Sequence, residues 1–123
     1  MKKRILIIDD ELLLRETIAE ALLNEGYDIK IAVDGQDALN ILAKDPSFDL
    51  LLLDQMMPRL SGDAFRRIQI EDPAIKDIPV LFMTAGRVDP ELFYAVRPAC
   101  FMPKPLELME FLDKIESLIK TTC

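Results

Sequence analysis

Residues 51–62 read LLLDQMMPRLSG. Leu50 to Leu53 form a continuous apolar run, which marks a strand buried on both faces, and such strands belong to parallel sheets covered by helices. Asp54 follows the run directly, although an ionised carboxylate is costly to bury unless it is paired or bound. Pro58 then ends any regular continuation. Asp54 therefore either caps a turn or is placed at a strand end to react, and the rest of the chain decides between the two.

Arg4 to Ile8 is a second continuous apolar strand, and it too stops at carboxylates, Asp9 and Asp10. Leu14, Ile18, Ala21 and Leu22 mark one face of a helix that Gly26 closes as a C-cap would. Tyr27, Ile29, Ile31 and Val33 alternate with polar residues, the period of a strand with one wet face at a sheet edge. Helices are expected over 36–44 and 62–72, and a fourth strand over 80–83. Asp89, Pro90 and Glu91 supply the N-cap, N1 proline and first-turn acid of a fourth helix. Cys100 to Met102 give a short fifth strand, and Leu108, Leu112, Ile115 and Ile119 stripe a fifth helix.

Five strands interleaved with five helices predict an α/β fold of three layers: a doubly wound, flavodoxin-like (βα)5 unit around a five-stranded parallel sheet. Crossovers between parallel strands are right-handed and need helices. In the common strand order 2-1-3-4-5 the alternating second strand takes the edge, and a crevice opens beyond the carboxyl ends of strands 1 and 3. Asp9, Asp10 and Asp54 lie at those two ends.

The chain has 123 residues, enough for one domain over 1–123 with a core of its own. No apolar run approaches the roughly 18 residues of a membrane span. Four apolar residues after Lys3 and Arg4 are too few for a signal peptide, so a cytoplasmic location is expected. Two isolated cysteines and no histidine speak against a disulfide framework and against zinc. The net charge of −7, without a basic cluster, offers no direct nucleic-acid footprint. Lacking histidine, the chain has no Ser/His/Asp or Cys/His nucleophile, and its chemistry falls to carboxylates, hydroxyls and lysine.

Three carboxylates at two adjacent strand ends repel one another when bare. Magnesium, which takes one or two protein carboxylates, water and phosphate oxygens, suits them better than a calcium cage. Thr84 ends the fourth strand and Lys104 follows the fifth, adding a hydroxyl and an ammonium to the same rim. Such groups offset charge spreading over a phosphoryl group as a carboxylate attacks it. Singly, each has a plainer reading: Asp9 and Asp10 as turn caps, Thr84 as a strand-end hydroxyl, Lys104 as a solvated charge. Their convergence at four strand ends argues for a site.

The acidic pair Asp9-Asp10, DQMMPRLSG from Asp54 to Gly62, MTAG from Met83 to Gly86 and FMPKP from Phe101 to Pro105 follow one another in order and spacing. With these the chain resembles a response-regulator receiver domain of two-component signalling, CheY-like, over essentially its whole length. The resemblance implies that Asp54 accepts a phosphoryl group from a sensor histidine kinase or phosphotransfer protein. It also implies that Asp10 and Asp54 hold Mg2+ directly, Asp9 through water and Met56 through its carbonyl. Lys104 and Thr84 would contact the phosphoryl oxygens, Phe101 would act as the switch aromatic, and Pro105 would follow a cis bond. Pro58 and Gly62 are the structural members of the pattern. The implied output is a remodelled face of helix 4, strand 5 and helix 5, open to a downstream protein, an output domain or a second copy. The implied role is that of a phosphoacceptor assisting its own phosphorylation and dephosphorylation, not an enzyme with a separate substrate. A bulky Met56 is expected to hinder the attacking water.

Leu92 to Val96 make the fourth helix apolar most of the way round, which suits either a partner surface or packing on two sides. Arg97, Pro98, Ala99 and Cys100 depart from the family pattern before the fifth strand. Three rivals remain. A flavodoxin-like cofactor binder needs a phosphate-cradling loop where this chain has DDELLL. A haloacid-dehalogenase-like phosphatase needs Asp-x-Asp after the first strand, which is absent. The third is a degenerate receiver, a binding module independent of phosphorylation.

Overall fold

The computed structural model describes residues 2–85, 91 and 100–120. Five strands, β1 (Arg4–Ile8), β2 (Asp28–Ala32), β3 (Leu50–Asp54), β4 (Val80–Ala85) and β5 (Cys100–Lys104), form one parallel sheet in the order β2-β1-β3-β4-β5. The described helices are α1 (Leu12–Asn24), α2 (Gly35–Lys44), α3 (Gly62–Glu71) and α4 (Leu108–Lys120). The helix expected to open at Asp89, with its apolar residues Leu92 to Val96, lies outside the described residues. None of the described helices is long and apolar enough to cross a membrane.

Alternation along each central strand splits the core in two. Ile5, Ile7, Leu50, Leu52, Leu81 and Met83 face Ile18 and Leu22 of α1 and Phe111 and Ile115 of α4. Leu6, Ile8, Leu51, Leu53, Val80 and Phe82 face Ala38 and Leu42 of α2 and Phe65 of α3. Every residue of β3 is buried, as its unbroken apolar run predicts. Each such leucine contributes about 2 kcal/mol by leaving water, so β3 is fixed tightly and Asp54 with it. The β2 edge shows the expected wet face, with Asp28 and Lys30 exposed and Ile29 and Ile31 half-buried.

Boundaries shift where polar residues or proline interrupt the pattern. β4 runs two residues past Met83 to take in Thr84, and β5 runs on to Lys104 through Pro103. Proline is tolerated there because β5 is the outer strand as described. α1 ends in a Schellman turn, with the Tyr27 amide donating to the Leu22 carbonyl and Gly26 at φ 94°. Cys100 is disulfide-bonded, and a single bridge is not the disulfide framework that the sequence speaks against. Cys123 is outside the described residues.

Gly62 opens α3 against the end of β3. Its amide donates to the Gln55 carbonyl at 3.0 Å, and a Cβ there would press on the Asp54 carbonyl oxygen and come within 2.9 Å of the Gln55 Cα. These are backbone atoms that cannot swing aside. Gly62→Ala is therefore expected to cost about 1–3 kcal/mol, the usual range for overpacking, which a lower urea midpoint with unchanged slope would show.

Candidate active site

The sheet register sets the rim. Ile8 pairs with Leu53 and Asp54 with Met83, while Thr84 pairs with Pro103 and Ala85 with Lys104. The alternation that sends Ile7, Leu52 and Met102 into the α1/α4 core carries on, two residues further, to Asp9, Asp54 and Lys104. Asp10, Thr84 and Phe101 fall on the opposite parity.

Asp9, Asp10 and Asp54 bring one oxygen each within 4.8 Å of one another. Asp9 and Asp54 are buried and Asp10 is exposed. Lys104 Nζ lies 3.0 Å from Asp54 Oδ1 and 3.3 Å from Asp9 Oδ2, pinned between the two buried acids. Asp9 also keeps the plainer role: its Oδ1 accepts the Glu11 amide at 2.8 Å and caps the turn into α1. Arg15 donates to the Asp9 carbonyl at 3.1 Å, steadying the same turn.

Burial pushes the Asp54 carboxyl above its ordinary value; Asp9 and Asp10 push the same way, and Lys104 opposes them. Burial alone would lower the Lys104 ammonium, but its hydrogen bond to Asp54 and the charges of Asp9 and Asp54 raise it, so it stays charged at physiological pH. Three carboxylates thus face one ammonium. The excess of anionic oxygen, held on strand ends, fits a hard divalent cation with oxygen ligands.

Thr84 is buried at the end of β4. Phe101 is half-buried against the α2/α3 core, its ring edge-on to Phe82 at 5.3 Å between centroids. The Lys104–Pro105 peptide bond is cis. Met56 is 72% exposed, two residues beyond Asp54.

Four further residues shape the site without standing out in the sequence. Gln55 and Asp63 bond reciprocally, Gln55 Nε2 to Asp63 Oδ1 at 3.1 Å and the Asp63 amide to Gln55 Oε1 at 2.9 Å, clasping α3 to the end of β3. Asp34 caps α2 by accepting the Asp37 amide at 2.9 Å, and it accepts Arg59 Nε at 2.7 Å as well. An Asp ahead of a helix is a common cap, but a partner 25 residues away carries no local signal in the sequence.

Residues 5–116 match the family described as the response regulator receiver domain. The chain belongs to that family. This receiver is 34% identical, over 99% of its length, to the response regulator MprA of Mycolicibacterium vanbaalenii, and it spans 52% of that protein. It likewise spans about half the length of the other curated mycobacterial relatives it matches. Among solved structures it superposes on the Vibrio cholerae chemotaxis protein CheY4 with a TM-score of 0.87 at 25% identity, covering 96% of this chain and 99% of that one. It also superposes on the receiver domain of the sensor histidine kinase PA1611 from Pseudomonas aeruginosa, with a TM-score of 0.88 at 20% identity, covering 98% and 100%. That structure holds a magnesium ion coordinated in its active-site cleft. At this identity the likeness shows the fold; the acidic cluster is this receiver's own.

Proposed function

We propose that this receiver accepts a phosphoryl group on Asp54 from a phosphohistidine of a sensor histidine kinase or phosphotransfer protein. A carboxylate oxygen of Asp54 attacks phosphorus, the P–N bond breaks, and the imidazole leaves and takes a proton from solvent. The supporting observation is the pairing of buried Asp54 with Lys104 at a rim shared by Asp9 and Asp10. Asp10, Asp54 and the Met56 carbonyl would hold Mg2+, with Asp9 acting through water. When bound, the ion offsets the anionic charge of the acceptor and donor. Lys104 neutralises phosphoryl oxygens from a fixed ammonium, and Thr84 donates to one of them once the acyl phosphate has formed. Phe101, set on the other parity of β5, then repacks toward the space that Thr84 leaves, and the face beyond β5 carries the output.

A donor must reach Asp54 from outside. Leu12 and Leu13 of α1, Leu108 and Met109 of α4 and Met56 are all exposed around this end of the sheet. Exposed apolar side chains grouped beside a charged cleft suit an α-helical protein donor. The absence of a membrane-spanning helix among the described residues is compatible with a cytoplasmic partner.

Incubation with acetyl phosphate and Mg2+ followed by intact mass is expected to give one phosphate adduct, hydrolysing over time and absent when Mg2+ is chelated. No adduct, where a control receiver reacts, would favour the binding-module reading.

A further inference from the structure

The loop from β3 to α3, residues 55–61, carries Met56 and is fastened at two places. On the α3 side the Gln55–Asp63 clasp holds it. On the α2 side it is held by Arg59, whose guanidinium reaches Asp34 through both Nε and Nη2. Asp34 is 1% exposed and is itself anchored as the cap of α2. The next residues lock too: a Cβ on Gly35 would come within 2.9 Å of the Leu60 carbonyl oxygen, so α2 sits directly on the loop. Arg59 takes φ 65°, a left-handed conformation that a residue with a Cβ adopts at a cost. A glycine would adopt it freely. Arg59 therefore holds an unfavourable backbone pose, and its ion pair with Asp34 fastens it there.

We propose that the Asp34–Arg59 ion pair is a positioning device for the β3–α3 loop and, through the Met56 carbonyl, sets the affinity of the Asp9/Asp10/Asp54 cluster for a divalent cation. The proposal rests on the reading of that cluster and the Met56 carbonyl as the Mg2+ site. Met56 lies between the two fastenings, and its exposed side chain offers no anchor of its own. Release of Arg59 frees one end of a short loop, and a carbonyl that wanders is a poorer ligand. Residues behind the ligands commonly govern affinity in this way.

The discriminating variants are Arg59→Gly and Asp34→Asn. Glycine keeps the backbone conformation and removes the ion pair; asparagine keeps the α2 cap and removes the charge. Mg2+ dissociation constants are measured by calorimetry on the whole chain, with melting curves in EDTA confirming that each variant is folded. Both single variants are expected to bind Mg2+ roughly tenfold more weakly, a loss of the size seen when support behind a metal ligand is removed. The double variant is expected to be no weaker than either, because one interaction cannot be lost twice. Arg59→Lys, which keeps the charge, is expected to recover part of the affinity. Single variants within about twofold of wild type, or losses that multiply in the double variant, would overturn the proposal. Asp10→Asn touches neither member of the pair and reports on the site itself. If it binds Mg2+ as wild type does, the reading of the acidic cluster fails, whatever Arg59 does.

Discussion

Asp54→Asn is expected to take up no phosphate from acetyl phosphate and Mg2+, and at neutral pH without metal to melt a few degrees above the wild type. The first effect follows because the amide cannot act as the nucleophile, while Asp9, the other buried acid in contact with Lys104, is engaged in capping the turn into α1 through the Glu11 amide, and Asp10 is exposed. The second follows from the electrostatics. Burial and two acidic neighbours raise the Asp54 carboxyl above its ordinary value. A raised carboxyl favours the fold while it is protonated, below the ordinary carboxylate value, and that contribution disappears as pH rises through the raised one. At neutral pH the ionised group therefore works against folding, and a neutral isostere relieves it. About 1 kcal/mol moves Tm by about 4 °C or more in a domain of this size. Mg2+ should reverse the order: at ten times its dissociation constant it stabilises the wild type by about 1.4 kcal/mol, and the variant by much less. A variant that still gains an adduct, or that melts below the wild type in EDTA, would count against the site as described.

The residues that place Asp54 were legible in the sequence for a simple reason. β1 and β3 are buried on both faces, so their apolar runs are continuous and end abruptly at carboxylates. Two such runs at the centre, with an alternating strand for the edge, fit the common order 2-1-3-4-5, which the sheet has. β4 and β5 were read too short because Thr84, Pro103 and Lys104 break an apolar pattern while still pairing in the sheet. The Asp34–Arg59 pair and the Gln55–Asp63 clasp were not legible. Their residues are ordinary loop and helix-end residues, and what distinguishes them is which partner the fold brings near. Arg59 shows this most clearly, since an arginine after a proline carries no mark of a left-handed backbone. The expected partner face of the fourth helix lies outside the described residues.

Lys104→Ala should have the opposite effect on stability from Asp54→Asn. Lys104 is the one cation in contact with both buried acids among the described residues, at 3.0 Å from Asp54 and 3.3 Å from Asp9. Its removal leaves two carboxylates buried side by side, and breaking a buried pair from one side costs about 3 kcal/mol or more. The Lys104 side chain is itself 19% exposed, so water softens part of that loss. The pH dependence identifies the cause. Without Lys104 the carboxyl of Asp54 rises further; the fold keeps its stability at acid pH, where the group is protonated, and loses it as pH climbs toward neutrality. The gap between wild type and variant should therefore be widest near pH 7 and narrow as Asp54 protonates. Mg2+ should close part of it, because a second cation enters the same cluster, yet the adduct from acetyl phosphate should remain absent or sharply reduced. Asp54→Asn/Lys104→Ala should be more stable than Lys104→Ala alone, since one of the two stranded charges is gone. If Lys104→Ala melts like the wild type at every pH, the ion pairs contribute nothing, and charge compensation by Lys104 cannot be what allows Asp54 to sit buried at the end of β3.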